Sequence, residues 1–186
     1  MSIGDVNSNA RGSGARFNDG KVPVELIPLR LIAEYGEYIN LGESSDELTA
    51  LHALGRFQEG GDITNLYDAM IAVGAPWTEC AAVFEYGKRK YAAWNWAKGM
   101  PWSIPIACAA RHLIFGMMRG ESTDSESGLP HRGHFLCNIV MLLTFVRTYP
   151  EGDDRPSQWL RDPAMTEHIA REEDARLIQA SNQEAA

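Results

Sequence analysis

Three observations predict an all-α fold for this chain of 186 residues. Apolar residues recur at helical spacing. Capping residues, prolines and glycines punctuate the chain where helices should start and stop. No stretch alternates apolar and polar residues over the length of a strand, and no internal repeat is found. The architecture expected is a compact bundle of about six helices, with an inserted helical pair and a polar C-terminal helix, and with the later helices carrying the core.

The elements follow in order. Residues 1–15 are rich in Gly, Ser and Asn and read as a flexible N-terminal tail. Residues 16–28 (RFNDGKVPVELIP) read as extended, because Asp19-Gly20 signals a turn and Pro23 and Pro28 forbid a long helix. A first helix covers 29–38. A second starts near Ser45 and ends at Gly60-Gly61. Asp62 can cap a third, ITNLYDAMIAVG, which Gly74 stops. Pro76 opens a fourth over 77–93, and WNWAKGMPW follows as a loop. The fifth helix covers 103–118, with Ser103 as N-cap and Pro105 in the first turn. RGESTDSESGLP is a polar loop before the sixth helix, 131–148. Residues 150–163 connect to a charged, partly amphipathic helix over 164–184 that carries Met165, Ile169, Leu177 and Ile178. The domain division expected is a tail (1–15), a helical domain (16–150, with 36–76 inserted) and a connector with C-terminal helix (151–186).

Composition bounds the function. Hydrophobic residues are 45% and charged residues 23%, ordinary globular usage that excludes a disordered chain or a fibrous rod. A chain of this size can bury about 70% of its surface, enough for one core. The net charge is −8 and the pI about 5.1, which argues against non-specific binding to nucleic acid or anionic membranes. A nucleotide at a local cationic pocket stays open. Cys80, Cys108 and Cys137 each sit in an apolar helical context and read as small core residues of a reducing compartment. No run reaches the ~18 apolar residues of a membrane span, and the first residues lack a signal-peptide core. A cytoplasmic protein is expected.

The chemistry concentrates in the second half. Arg111 and His112 stand in the middle of the apolar fifth helix. A buried guanidinium needs an anion: either a structural partner such as Asp124 or Glu85, or a phosphate, whose oxygens match its fork. His131, His134 and Asn138 are spaced i, i+3, i+7 and share one face of the sixth helix. Two histidines one turn apart can bind one metal ion, or form a buried hydrogen-bonded network. Glu85 on the fourth helix is either a surface carboxylate or an inward metal ligand. Lys88, Arg89 and Lys90 read mainly as a solvated face, although one of them could contact phosphate. Tyr91, Trp94, Trp96 and Trp102 read as core or loop anchors, one of which could stack on a base. Together Glu85, Arg111, His112, Glu121, Asp124, His131, His134 and Asn138 combine carboxylates, imidazoles and a cation. That set suits a divalent metal beside a phosphate substrate. No Walker A loop, zincin, nucleophile elbow or dinucleotide fingerprint is present.

Three segments, GARFNDGKVPVELIP (14–28), FEYGKRKYAAWNWAKGMPW (84–102) and ARHLIFGMMRGESTDSESGLPHRGHFLCNIVMLL (110–143), resemble a phage-borne family, the dATP/dGTP diphosphohydrolase N-terminal domain. The family pattern is a G-A-x-[KR]-x-D-x-G-K opening, then F-G-A-K-K-Y…N-W-x-x-G, R-H, G-E…D…S-G-x-P-H-x-x-H and an Asn one helical turn later. The matching positions are Arg16, Asp19, Lys21, Glu85, Lys90, Tyr91, Asn95, Trp96, Arg111, His112, Glu121, Asp124, His131, His134 and Asn138. Two departures stand out. Residues 36–76 intervene where the family usually has one helix, and Glu85-Tyr86-Gly87-Lys88 stands where Phe-Gly-Ala-Lys is usual.

The resemblance implies an all-α, metal-dependent enzyme similar in activity to MazG-type pyrophosphohydrolases. It would cut a purine deoxynucleoside triphosphate to monophosphate and pyrophosphate in phage nucleotide metabolism. The MazG carboxylate pairs, E-x-x-E with E-x-x-D, are absent, so histidines would replace some acids. Glu85, His112, Asp124, His131 and His134 are then the metal candidates, with Mg²⁺ or Mn²⁺ expected before Zn²⁺. Arg111 is the candidate for charge stabilisation at the triphosphate and Glu121 the candidate general base. Lys21, Lys90, Tyr91, Asn95 and Asn138 are the substrate-binding candidates. Analogy with MazG-type folds adds a homo-oligomer, and a phage protein would work in the host cytoplasm. The alternatives are a triphosphohydrolase, although its His-Asp dipeptide is missing, and a non-catalytic accessory protein that binds a nucleotide or a host partner.

Overall fold

The computed structural model describes residues 2–161 apart from Asp19, Leu41 and Glu43. The helix expected over 164–184 lies outside the described residues. The fold is all-α. Its helices are α1 (Leu29–Ile39), α2 (Asp46–Gln58), α3 (Thr64–Ala72), α4 (Trp77–Tyr91), α5 (Ser103–Arg111), α6 (His131–Thr148) and the short α7 (Ser157–Leu160). Among the described residues the extended structure is one antiparallel pair, β1 (Ser2–Ile3) with β2 (Arg16–Phe17).

Local chemistry accounts for the boundaries. The Ser45 hydroxyl accepts the Leu48 N–H at the start of α2, and Asp46 and Glu47 occupy its first turn. Asp62 accepts the Thr64 N–H at the start of α3. At α5 the expected cap is corrected. Ser103 is the first helical residue, and Asp154 of the connector accepts its N–H and its hydroxyl at 2.8 and 2.6 Å. The expected single helix over 103–118 is corrected too. α5 stops at Arg111 and continues as a π-turn over His112–Gly116 and a 3₁₀ turn over Met117–Arg119. α4 ends at Tyr91 rather than 93, where Ala92 takes φ 84° and ψ 158°.

The core is shared more widely than expected. α5 and α6 bring Ile106, Phe135, Leu136 and Phe145, but α2 adds Leu48, Leu51, Leu54 and Phe57, all buried. α1, α2 and α3 pack in succession, α6 packs on α4 and α5, and α2 and α3 reach α5 and α6. So α2 and α3, expected as an insertion, belong to the core. Gln58 fixes α2 to the turn before α1: its carbonyl accepts the Leu29 N–H, and its amide donates to Glu25 O and Ile27 O.

The segment expected as a flexible tail is tied down. Beyond the β1–β2 pairing, Gly12 N–H donates to Lys98 O and Gly14 N–H to Gly99 O. Lys98 donates to Ser8 O at 2.6 Å, and Arg11 binds Thr148 O and Glu151. Small polar residues leave the backbone free to pair, a role that composition alone does not separate from disorder.

Two glycines of the bundle should respond in opposite ways. A Cβ on Gly133 would lie 2.8 Å from Glu79 Cβ and 2.9 Å from Glu79 C, so α4 and α6 would have to part. Gly133→Ala should lose about 1–3 kcal/mol. Gly87, in α4 with nothing near a Cβ, should gain about 0.5–1 kcal/mol as Ala. Urea unfolding of both variants checks this; equal shifts would contradict the packing described.

Candidate functional site

A cavity of about 910 Å³ opens between α4, the turn behind it, α5, α6 and a strap formed by residues 15–18 and 20–22. One wall is polar. Pro130 precedes the first turn of α6, and His131, His134 and Asn138 point inward from it, all buried. The π-turn brings His112 to the same place. It can do so because Gly116 has no side chain: a Cβ there would stand 2.5 Å from His131 Cγ. The loop before α6 folds back through a Thr123–Pro130 bridge and a bond from His131 N–H to Ser122 O.

The three imidazoles are in contact. His112 stacks on His134 with centroids 4.5 Å apart, and its Nδ1 faces Nδ1 of His131 at 2.9 Å. His134 Nε2 meets the Ser127 hydroxyl at 2.7 Å. Asp124 accepts the N–H and hydroxyl of Ser127, both at 2.9 Å. Burial favours the neutral form of Asp124. The two Ser127 bonds, then His134 and His131, outweigh burial and hold the carboxyl below the usual carboxylate range. Burial pushes His112 down to about 2, helped by His134, His131, Arg16 and Lys21. Burial also lowers His134 to about 4, with Asp124 opposing and Arg16 assisting. These two rings are therefore neutral near pH 7, the form that ligates a metal.

Donor atoms of His112, Asp124 and His131 all lie within 4.8 Å of one another. Two observations test whether a divalent cation fits there. His131 Nε2 is buried with no hydrogen-bond partner among the described residues, its nearest acid oxygen being Glu121 Oε2 at 3.8 Å. The 2.9 Å contact between the two Nδ1 atoms occupies that side of the His131 ring and leaves Nε2 as its nitrogen open to a ligand. The group fits.

The other sequence candidates divide. Glu85 does not join the cluster. Its side chain is 68% exposed and pairs with Arg89, because Cys80 and Val83 occupy the buried face of α4. Arg111 pairs with neither Asp124 nor Glu85: it donates to Asn18 Oδ1 at 2.7 Å, Val22 O at 3.0 Å and Cys108 Sγ at 2.9 Å, holding the strap. Tyr91 OH accepts the Phe17 N–H, and buried Asn95 donates to Ala15 O, so both anchor the strap as well. Asn138 donates to His134 O and accepts from Arg16 Nη2 at 3.0 Å. Lys21 and Lys90 meet at Glu126, 3.1 and 2.7 Å away.

Sequence reasoning missed Glu126 and Ser127, two members of a polar loop with nothing to set them apart. It gave Arg16 no role of its own, although Arg16 contacts Asn138 and Met141 and pairs with no carboxylate among the described residues. Trp94, expected as an anchor, is 73% exposed at the cavity rim, while Trp96 packs on Phe84 and Phe145.

The neutral histidines set a pH dependence. The unfolded chain binds protons at these rings near pH 6.5, whereas the fold keeps them neutral down to about 2 for His112 and about 4 for His134. Stability should therefore fall as pH drops below about 6.5, by at most about 1.4 kcal/mol per unit for each ring. Melting curves between pH 7.5 and 5 should show the loss, and His112→Asn should flatten it. A flat profile in the parent protein would contradict the assignment.

A family model described as dATP/dGTP diphosphohydrolase, N-terminal, matches residues 58–155. The match takes in α3 to α6 and every residue of the polar wall. It includes residues 58–76, half of the stretch expected as an insertion, and leaves the strap outside. No curated protein and no solved structure matches the chain. With more than half of its length matched, including the whole histidine cluster, the chain belongs to the dATP/dGTP diphosphohydrolase N-terminal family.

Proposed function

We propose that this protein hydrolyses a purine deoxynucleoside triphosphate to the monophosphate and pyrophosphate, with a divalent metal held by His112, Asp124 and His131. The observation that carries the reading is one cavity lined both by a three-donor cluster with an unpartnered buried nitrogen and by Arg16, Lys21 and Lys90. When bound, a divalent cation supplies charge neutralisation at phosphate oxygens and makes water a better nucleophile at neutral pH. Mg²⁺ or Mn²⁺ is proposed, from the carboxylate in the set and a phosphate substrate.

The chain's own groups have these roles in the proposal. Arg16, held by Asn138, offers its guanidinium to the α-phosphate, where charge grows as the oxygen of water bonds to phosphorus. The bond from that phosphorus to the α–β bridging oxygen breaks, and pyrophosphate leaves. Glu121 accepts the water proton, a role open to an exposed carboxylate beside His131. Arg111 is a positioning residue, keeping Asn18 and Val22, and hence Lys21, over the cavity. On the same cavity, Trp94 offers a flat exposed face to the base.

Incubation with purine deoxynucleoside triphosphates and Mn²⁺ or Mg²⁺, with products separated by chromatography, should yield monophosphate and pyrophosphate. Tripolyphosphate as product would favour triphosphohydrolysis. No turnover together with a melting temperature that metals do not change would favour a binding protein. Arg16→Ala should lower kcat by about 10²–10³-fold with the fold retained. Trp94→Ala should raise KM about tenfold while kcat stays within a factor of about two, as loss of one base stack predicts.

A further inference from the structure

Lys21 and Lys90 come from different parts of the chain, the strap and the last turn of α4, yet they converge on one carboxylate. Lys21 Nζ lies 3.1 Å from Glu126 Oε2, Lys90 Nζ lies 2.7 Å from Oε1, and the Tyr86 hydroxyl stands 3.5 Å from Oε1. All three charged side chains remain 34–45% exposed, so an anion from solution can reach them. They line the same cavity as the histidine cluster, and Lys21 is close enough to help depress His112 and His134.

The charges do not balance. Two ammonium groups face one carboxylate, leaving a unit positive charge at the mouth. A terminal phosphate, at about −1.5 to −2, would neutralise both and offers three acceptor oxygens instead of two. Lys90 is also held independently of Glu126, with its Nζ 5.5 Å from the Phe17 ring centroid and 5.7 Å from that of Tyr91. Lys90 therefore keeps its place when the acid departs.

We propose that Glu126 is a tethered stand-in for phosphate: it fills the polyphosphate subsite between Lys21 and Lys90 and is displaced by the phosphate chain of the substrate. This rests on the reading of the cavity as a nucleoside triphosphate site. Glu126 is then a specificity-determining residue. An anion must outcompete a carboxylate already in place, which favours polyphosphates over singly charged ligands and keeps the lysines from trapping weaker anions.

The test is calorimetric binding of inorganic tripolyphosphate to the full chain, without metal. Glu126→Gln removes the competitor and should lower Kd about tenfold or more, while Kd for the uncharged nucleoside deoxyadenosine stays unchanged. Glu126→Asp, one methylene shorter, should give a smaller gain, and provides a second measurement if the Gln variant folds poorly. Glu85→Gln makes the same change in net charge on the same cavity and should move Kd less than twofold. Adding Lys90→Ala to Glu126→Gln should cancel the gain. Unchanged or weaker tripolyphosphate binding in Glu126→Gln overturns the proposal, as does an equal gain in Glu85→Gln or for deoxyadenosine. The outcome is separable from the hydrolase reading: a gain without nucleotide turnover removes only that reading, and turnover without a gain removes only this proposal.

Discussion

The contact of the His131 ring with Gly116 is the constraint on which the site depends. No carbon fits between them. That approach is possible because α5 opens into a π-turn after Arg111, and the turn places His112 where its Nδ1 meets Nδ1 of His131 and its ring covers His134. A regular α-helix continuing from α5 would shift Gly116 out of this register. The irregular backbone therefore has a local cause. It is the geometry in which one helix presents an imidazole and a glycine to the first turn of another.

The same neighbourhood shows how charge is distributed. Burial keeps His112 and His134 neutral, and Asp124 is kept ionised by Ser127 against the effect of burial. The positive charge is on Arg16, Lys21 and Lys90 instead, in a chain whose net charge is −8. A local cationic cavity in an acidic protein narrows the possible ligands to small anions that can enter it. An extended polyanion would meet repulsion over the rest of the surface.

Helices were legible in the sequence wherever one signal dominated. α6 has the boundaries that Pro130 and the apolar run imply, and α2 starts where Ser45 caps it, while α3 starts one residue later than an Asp62 cap implies, with Ile63 as its N-cap. Helical periodicity could not show the break at His112, because the close neighbour of Gly116 in that segment, His131, belongs to another helix. The cluster of His112, Asp124, His131 and His134 was legible from residue type and spacing. The exclusion of Glu85 was not, since one carboxylate on an amphipathic helix reads the same facing in or out until Cys80 and Val83 are seen to be buried. The bonds from Arg111 to Asn18 and Val22 join residues about ninety positions apart, a distance no local pattern spans.

The turn after α4 departs furthest from ordinary backbone. Ala92 takes φ 84° and ψ 158°, a region almost reserved for glycine, and Trp94 takes a left-handed φ of 60°. Each such residue costs about 1–3 kcal/mol. The surroundings fix the turn: Ala92 N–H reaches Lys88 O, Asn95 holds Ala15 O, and Trp96 packs on Phe84 and Phe145. Its result is that two neighbours in sequence face opposite ways, with Asn95 buried under the strap and Trp94 held out at the cavity rim. The strained turn leaves an exposed indole on the cavity that the histidine cluster and the cations also line. That arrangement suits a ligand with a flat apolar end and a polyanionic end, and it links backbone strain to the nucleotide reading without appeal to the family match.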